Sequence, residues 1–176
     1  MAPELMSNTK ISIMPEKKTI SRAKQAKREG KSPGTQAGEF VREEIEHIRE
    51  GKHGARSAKQ AIAIGLSKAR RAGVKLRPPK KGKVSEKTRK SAKLAYEKGQ
   101  RHEPISSTRS RAGVRALKRE SRTAASRQAL SRQARSAAKK RSASERSASA
   151  KQAAKTKGPH KRSEAAKKAA HTRRKQ

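Results

Sequence analysis

The sequence contains no cysteine, no aspartate and no tryptophan, and it has a single Phe and a single Tyr in 176 residues. Without thiols there can be no disulfide, no thiolate nucleophile and no cysteine-based zinc site. Without Asp, the triads, magnesium sites and calcium loops built on that residue are absent, and all 14 acids are Glu. With only Phe40 and Tyr96 to stack on, a platform for single-stranded bases is not expected. No nucleophile has a base at readable spacing, so we expect no enzyme, no catalytic residue, no cofactor and no small-molecule substrate. Long apolar runs are missing too. No stretch approaches a membrane span, and the opening "MAPELMSNTKISIMPEKKTI" has no apolar core of signal-peptide length. The expectation is a cytoplasmic protein with no membrane partner.

What is present is positive charge. Fifty Lys and Arg face 14 acids, for a formal charge of +36 and a pI near 11.7, while only 30% of the residues are hydrophobic, most of them Ala. Such a chain cannot build a core over its full length and repels itself when compact, so it should stay expanded until a polyanion neutralises it. Nucleic acid is the expected partner.

Charge and apolar content divide the chain. Residues 1–37 carry 8 basic and 3 acidic residues, contain the turn-formers "GKSPGTQAG", and read as a flexible basic arm. Residues 38–76 carry 9 basic and 5 acidic residues and the densest cluster of large aliphatics. Residues 77–84 ("RPPKKGKV") form a linker that Pro78 and Pro79 keep out of helix. Residues 85–99 predict one more helix, and 100–176 a low-complexity basic tail of Ala, Ser, Arg, Lys and Gln, disordered or conditionally helical, with a marginal helicity that rises when phosphates cancel its repulsion. "AKQA" and "SRQA" recur in the chain without a fixed period, as compositional echoes.

The middle segment predicts a mostly α fold, a small helical hairpin over about 38–73. Val41, Ile45 and Ile48 make an apolar stripe on a first helix that starts near Gly38, with Glu39, Glu43 and Glu44 favouring its positive end and Gly51 as its stop. A second helix opens on a Ser57/Gln60 capping box and closes at Gly73, followed by apolar Val74 in the manner of a Schellman turn. Its apolar arc, which includes Ile62, Ile64 and Leu66, spans roughly 200° and is wider than one helix can cover. Gly65 costs about 1 kcal/mol of helix propensity, which suggests that another backbone comes close there. The expected core is therefore Val41, Ile45, Ile48, Ile62, Gly65 and Leu66. The remaining surface would be covered by the 85–98 helix or by a second copy of the chain as a homodimer.

The block "KQAIAIGLSKARRAG" (59–73) resembles the shared segment of a group of small basic bacterial proteins of unknown function, some labelled DNA-binding or plasmid-stabilisation. The resemblance spans about residues 38–76 and implies a bacterial source, and the tail resembles histone-like basic tails.

The candidate phosphate contacts are a run leading out of the second helix, Lys68, Arg70, Arg71, Lys75, Arg77, Lys80, Lys81 and Lys83, together with Arg127, Arg132, Arg135, Lys139, Lys140 and Arg141 in the tail. "RPPKKGK" resembles a minor-groove hook but lacks its Gly-Arg-Pro centre. A helix-turn-helix is disfavoured, because "GKHGAR" is longer than that motif's turn and the apolar arc leaves little face for reading bases. Ser110, Ser136 and Ser142 lie beside Arg, where phosphorylation would weaken binding. His47 and His53, with Glu43 and Glu46 nearby, read as a solvent-facing polar surface and not a metal site, and Glu43 and His47 as an i, i+4 helix pair. Together these features predict non-sequence-specific binding of duplex DNA by a nucleoid-associated, histone-like protein. RNA or ribosome association is the alternative, as is a protein-interaction module localised by its tail.

Overall fold

The computed structural model describes residues 14–174, and within them every regular element is helical: α1 (Lys17–Arg28), α2 (Pro33–Arg49), α3 (Ala58–Arg71), α4 (Glu86–Gln100), α5 (Ser107–Leu117), a 3-10 turn (Arg122–Ala125), α6 (Arg127–Lys139) and α7 (Ala143–Arg174). The protein is thus mostly α, as composition and periodicity predict. Two compact units divide between Ser131 and Arg132, so the division falls within α6.

In the first unit, α2 and α3 form the centre. Ala37 and Ala69 share one apolar cluster, Ile48 and Ala61 share a second, and Val41 lies against Gly65, so the two helices run antiparallel. A Cβ added at Gly65 would sit 2.6 Å from the Val41 Cα and 2.9 Å from its amide nitrogen, which makes this a backbone-to-backbone contact. The expected close approach at Gly65 is therefore present, and its partner is α2.

The helix ends follow local chemistry. Ser57 caps α3 by accepting from the Gln60 amide at 3.2 Å, while Gln60 reaches past Ser57 to the Arg56 amide at 2.8 Å, one residue earlier than a reciprocal capping box requires. At the other end Val74 N–H donates to Ala69 and Gly73 N–H to Arg70, the paired hydrogen bonds of a Schellman turn, with Gly73 at φ 84° and Val74 buried. The 85–99 helix is found as α4, capped by Ser85.

Three expectations are overturned. Helix α2 begins at Pro33 and not near Gly38, because Ser32 caps it and Pro33 supplies the first helical φ. Glu43 and Glu44 therefore lie in mid-helix and gain nothing from the helix end. The presumed arm also contains α1, which packs on α2 through Ala23 and Ile20, and only residues 1–13 of that arm lie outside the described residues. Finally, the segment assigned to the tail enters the core. Gly54 donates to Leu117 O at 2.9 Å and Ala55 to Ser121 O at 3.0 Å, and Ala124 and Ala125 complete the cluster around Ile48 and Ala61.

The core also differs in membership. Phe40, Ile48 and Glu44 are the largest fully buried side chains, whereas Val41, Ile45, Ile62 and Leu66 are half-buried. The buried face of α2 runs through Gln36, Ala37, Phe40, Glu43, Glu44, His47 and Ile48, a helical stripe turned away from the one that aliphatics alone indicate. The wide arc of α3 is covered by α2, α4 and the 3-10 turn. Ile64 is left lining an open, largely apolar cleft of about 420 Å³ with Met14, Ile20, Pro104 and Ile105.

The second unit contains the end of α6 and α7. Helix α7 starts on a reciprocal cap, in which Ser142 Oγ accepts from the Glu145 amide at 3.1 Å and Glu145 from the Ser142 amide at 3.0 Å. It breaks at Gly158–Pro159, where Gly158 takes φ 71°, and it buries no residue. Among the described residues no helix is long and apolar enough to cross a membrane.

Candidate nucleic-acid interface

The run leading out of α3 separates into two kinds of cation. Lys68 and Arg70 are only 6% and 7% exposed. Lys68 Nζ lies 2.7 Å from Glu44 Oε2 and 3.7 Å from Glu43 Oε1, facing two carboxylates that α2 carries into the interior. Arg70 turns back on its own chain and donates from Nε to Leu76 O at 3.2 Å, which ties the exit of α3 to the start of the linker. Burial pulls its guanidinium below the usual value. Neither side chain can meet a phosphate while these contacts hold, so both are removed from the candidate interface. A basic last turn gives the same sequence pattern whether its residues face outward or inward, and only the acids of α2 distinguish the two.

The other residues of the run are accessible. Arg71 is half-buried, and Lys75, Arg77, Lys80, Lys81 and Lys83 are exposed on a segment that has no regular structure from 74 to 80 and turns at 81–84. No carboxylate of the described residues lies within ion-pair distance of these five exposed cations. Fixed at one end by Arg70 and at the other by the Ser85 cap of α4, the segment presents its charges without internal partners.

In the C-terminal part, Arg127, Arg132, Arg135, Lys139, Lys140 and Arg141 are all exposed. Arg132, Arg135 and Lys139 follow i, i+3, i+7 along α6 and share a face about 60° wide. Arg141 is engaged locally, donating to Glu145 O at 3.1 Å. Helix α7 adds Lys and Arg around its whole circumference, and Glu145 and Glu164 are its only acids.

One basic grouping escaped the sequence reading. Arg49 at the end of α2 donates to Ala125 O at 3.0 Å, and with Arg122 and Arg127 it lines an open hollow at the start of α6. Three guanidinium groups at a helix N-terminus suit an oxyanion. The residues come from positions 49, 122 and 127, and nothing in the sequence signals that they meet.

The histidines are also not where the sequence placed them. His47 and His53 are 6% and 7% exposed, and their ring centroids lie 6.3 Å apart. His47 Nε2 bonds to Glu16 Oε1 at 2.9 Å, His53 Nδ1 to Gly54 O at 3.0 Å, and His53 Nε2 lies 3.3 Å from Glu44 Oε1. The i, i+4 pairing of Glu43 with His47 is replaced by longer-range contacts, since Glu43 also accepts from the Glu16 amide at 3.2 Å. Glu46 stays exposed, apart from this cluster.

The model of a family of unknown function, DUF6496, matches residues 24–81, about a third of the chain. No curated protein and no solved structure matches it. The matched span runs from α1 through α2 and α3 into the basic linker. It includes Glu43, Glu44, His47, His53 and Lys68 but ends before α4, which packs on α3, and before the 3-10 turn, which packs on α2 and α3.

Proposed function

We propose that the chain binds nucleic acid, with duplex DNA as the favoured form, by neutralising backbone phosphates without reading sequence, in the manner of a nucleoid-associated protein. The observation that carries this reading is the allocation of charge. Glu residues of the first unit are largely taken up in local or internal pairs with Lys68, Lys52, Arg56, Arg89, Lys98 and the histidines. Among the described residues, the linker cations and the face of α6 remain exposed and without acidic partners, as does most of α7. A surface of this kind attracts a polyanion through counterion release, and its shortage of aromatics favours backbone contact over base stacking.

The test is a titration of the full chain against random-sequence duplex at several salt concentrations. If 6–10 phosphates are neutralised, affinity falls about 10³–10⁵-fold between 50 and 200 mM salt. A shallow dependence would remove the proposal. Competition with structured RNA of equal length distinguishes the two polymers, and a preference for RNA moves the assignment to an RNA-associated protein.

A further inference from the structure

The buried polar cluster between α2 and the 51–56 loop has no role in phosphate binding, and its composition is unusual for an interior. Glu44 is 0% exposed and neither of its carboxylate oxygens has an aligned hydrogen-bond donor. Glu43 Oε1 is in the same position. Two interior carboxylates, Glu43 and Glu44, share the single ammonium of Lys68. Buried carboxylates left short of a partner are costly, and a cation is the group that would balance them.

The geometry points to a divalent transition-metal site of zinc type formed by Glu44, His47 and His53, and we propose that this cluster binds such an ion. One ligand atom from each of the three residues lies within 4.8 Å of the other two. The His53 Nε2–Glu44 Oε1 separation of 3.3 Å matches the edge of a tetrahedron with metal bonds of about 2.0–2.1 Å. Each ring is held on one nitrogen by a hydrogen bond. The Glu16 carboxylate accepts from His47 Nε2, leaving Nδ1 as the lone pair, and the Gly54 carbonyl accepts from His53 Nδ1, leaving Nε2. A carboxylate or carbonyl behind each imidazole is the arrangement that fixes the tautomer of metal-bound histidines. Lys68 does not block the site, because it has a second carboxylate to turn to. Its ammonium is 3.7 Å from Glu43 Oε1, and a small side-chain rotation pairs it there while Glu44 takes the ion. Access is short, since His53 borders a hollow open to solvent, lined also by Glu50, Lys52 and Lys118. The ion would join α2 to the 51–56 loop and, through Gly54 and Ala55, to residues 117–121.

The test uses the full-length chain stripped with chelator and titrated with Co²⁺ and with Zn²⁺. The expected result is one ion per chain, with a visible ligand-field spectrum for Co²⁺. On Zn²⁺ addition, ¹⁵N shifts should change at the rings of His47 and His53 and not at His102, His160 or His171. Affinity should fall at least 10-fold in His53→Gln and Glu44→Gln, by about 10–100-fold in Glu16→Gln, which removes the carboxylate behind His47, and not at all in His160→Ala. The wild-type ¹⁵N experiment decides the matter even if a variant unfolds. Failure to bind one ion, or binding that perturbs only the exposed histidines, overturns the proposal and leaves the cluster as an ion network closed by Lys68 alone.

Discussion

Replacing Gly65 by Ala sets two effects of opposite sign against each other. In a helix interior the change gains about 1 kcal/mol of propensity. At this position, however, the new methyl would lie 2.6 Å from the Val41 Cα and 3.0 Å from the Phe40 carbonyl oxygen, where carbon contacts prefer about 3.5–4.0 Å. Both obstacles are backbone, so no rotamer change relieves them and α2 and α3 must part by roughly 1 Å. Overpacking a well-filled interior costs about 1–3 kcal/mol, and a backbone clash belongs at the upper end. Separation would also loosen Phe40, Ala37 and Ala69, which pack in the same interface. The net expectation is destabilisation by about 2 kcal/mol, or a Tm roughly 8 °C lower at about 4 °C per kcal/mol for a unit of this size. Gly38 provides the control. It is also helical, but a methyl added there meets nothing within 4 Å, so Gly38→Ala should stabilise by about 0.5–1 kcal/mol. Scanning calorimetry of the full chain measures both. A Gly65→Ala Tm at or above wild type would refute the claim that this glycine sets the approach of the two helices.

Lys68→Met should destabilise by about 3–5 kcal/mol in urea, because Glu43 and Glu44 stay buried without their counter-charge. At salt concentrations where the variant is folded, the slope of DNA affinity against salt should not change. The triple change Lys80→Ala, Lys81→Ala, Lys83→Ala should do the reverse, leaving Tm unchanged while lowering that slope by about 3 if each lysine meets a phosphate. Ala125→Leu should cost about 1–3 kcal/mol by overpacking the cluster around Ile48, whereas a residue of a true tail would tolerate it. The hydrogen bond from His47 holds the Glu16 carboxyl below its usual 4.5; desolvation, the next effect in size, opposes it, and weaker contributions from His47 and Lys52 add to the lowering. A depressed folded value stabilises above the unfolded one and is lost as pH falls through it, so urea midpoints of wild type and Glu16→Gln should differ most above about pH 4.5 and converge at lower pH.

The parts of this fold that the sequence reveals are those governed by local chemistry. The Ser57 cap, the Gly73 stop followed by Val74, and the Ser85 start of α4 each depend on residues within a few positions, and all are found where expected. The start of α2 also had a local signal in Ser32-Pro33, but Gly30, Gly34 and Gly38 around it read more strongly as turns. What the sequence concealed is packing by alanine. Ala23, Ala37, Ala61, Ala69, Ala124 and Ala125 fill most of the interior, and each is so small that hydrophobicity barely registers it, although small side chains are what allow backbones this close. Buried charge was hidden for another reason. Glu43, Glu44 and Lys68 belong to residue types that are almost never enclosed unless paired, and the pairing joins helices 24 and 25 positions apart. The candidate interface was legible wherever a cation has no nearby acid, as at Lys80, Lys81 and Lys83. It was misread at Lys68 and Arg70, where the partner is a carboxylate or carbonyl brought in by the fold.

The hydrogen bonds from Gly54 and Ala55 to Leu117 and Ser121 also set a timetable for biosynthesis. The residues that finish the cluster around Ile48 and Ala61 are Ala124 and Ala125, and Ala125 is made 77 residues after Ile48. At about 5–20 residues per second, the nascent chain spends roughly 4–15 s with that face uncovered while a polycation lengthens behind it. That face of the interior is therefore closed only once the segment assigned to the tail has been made.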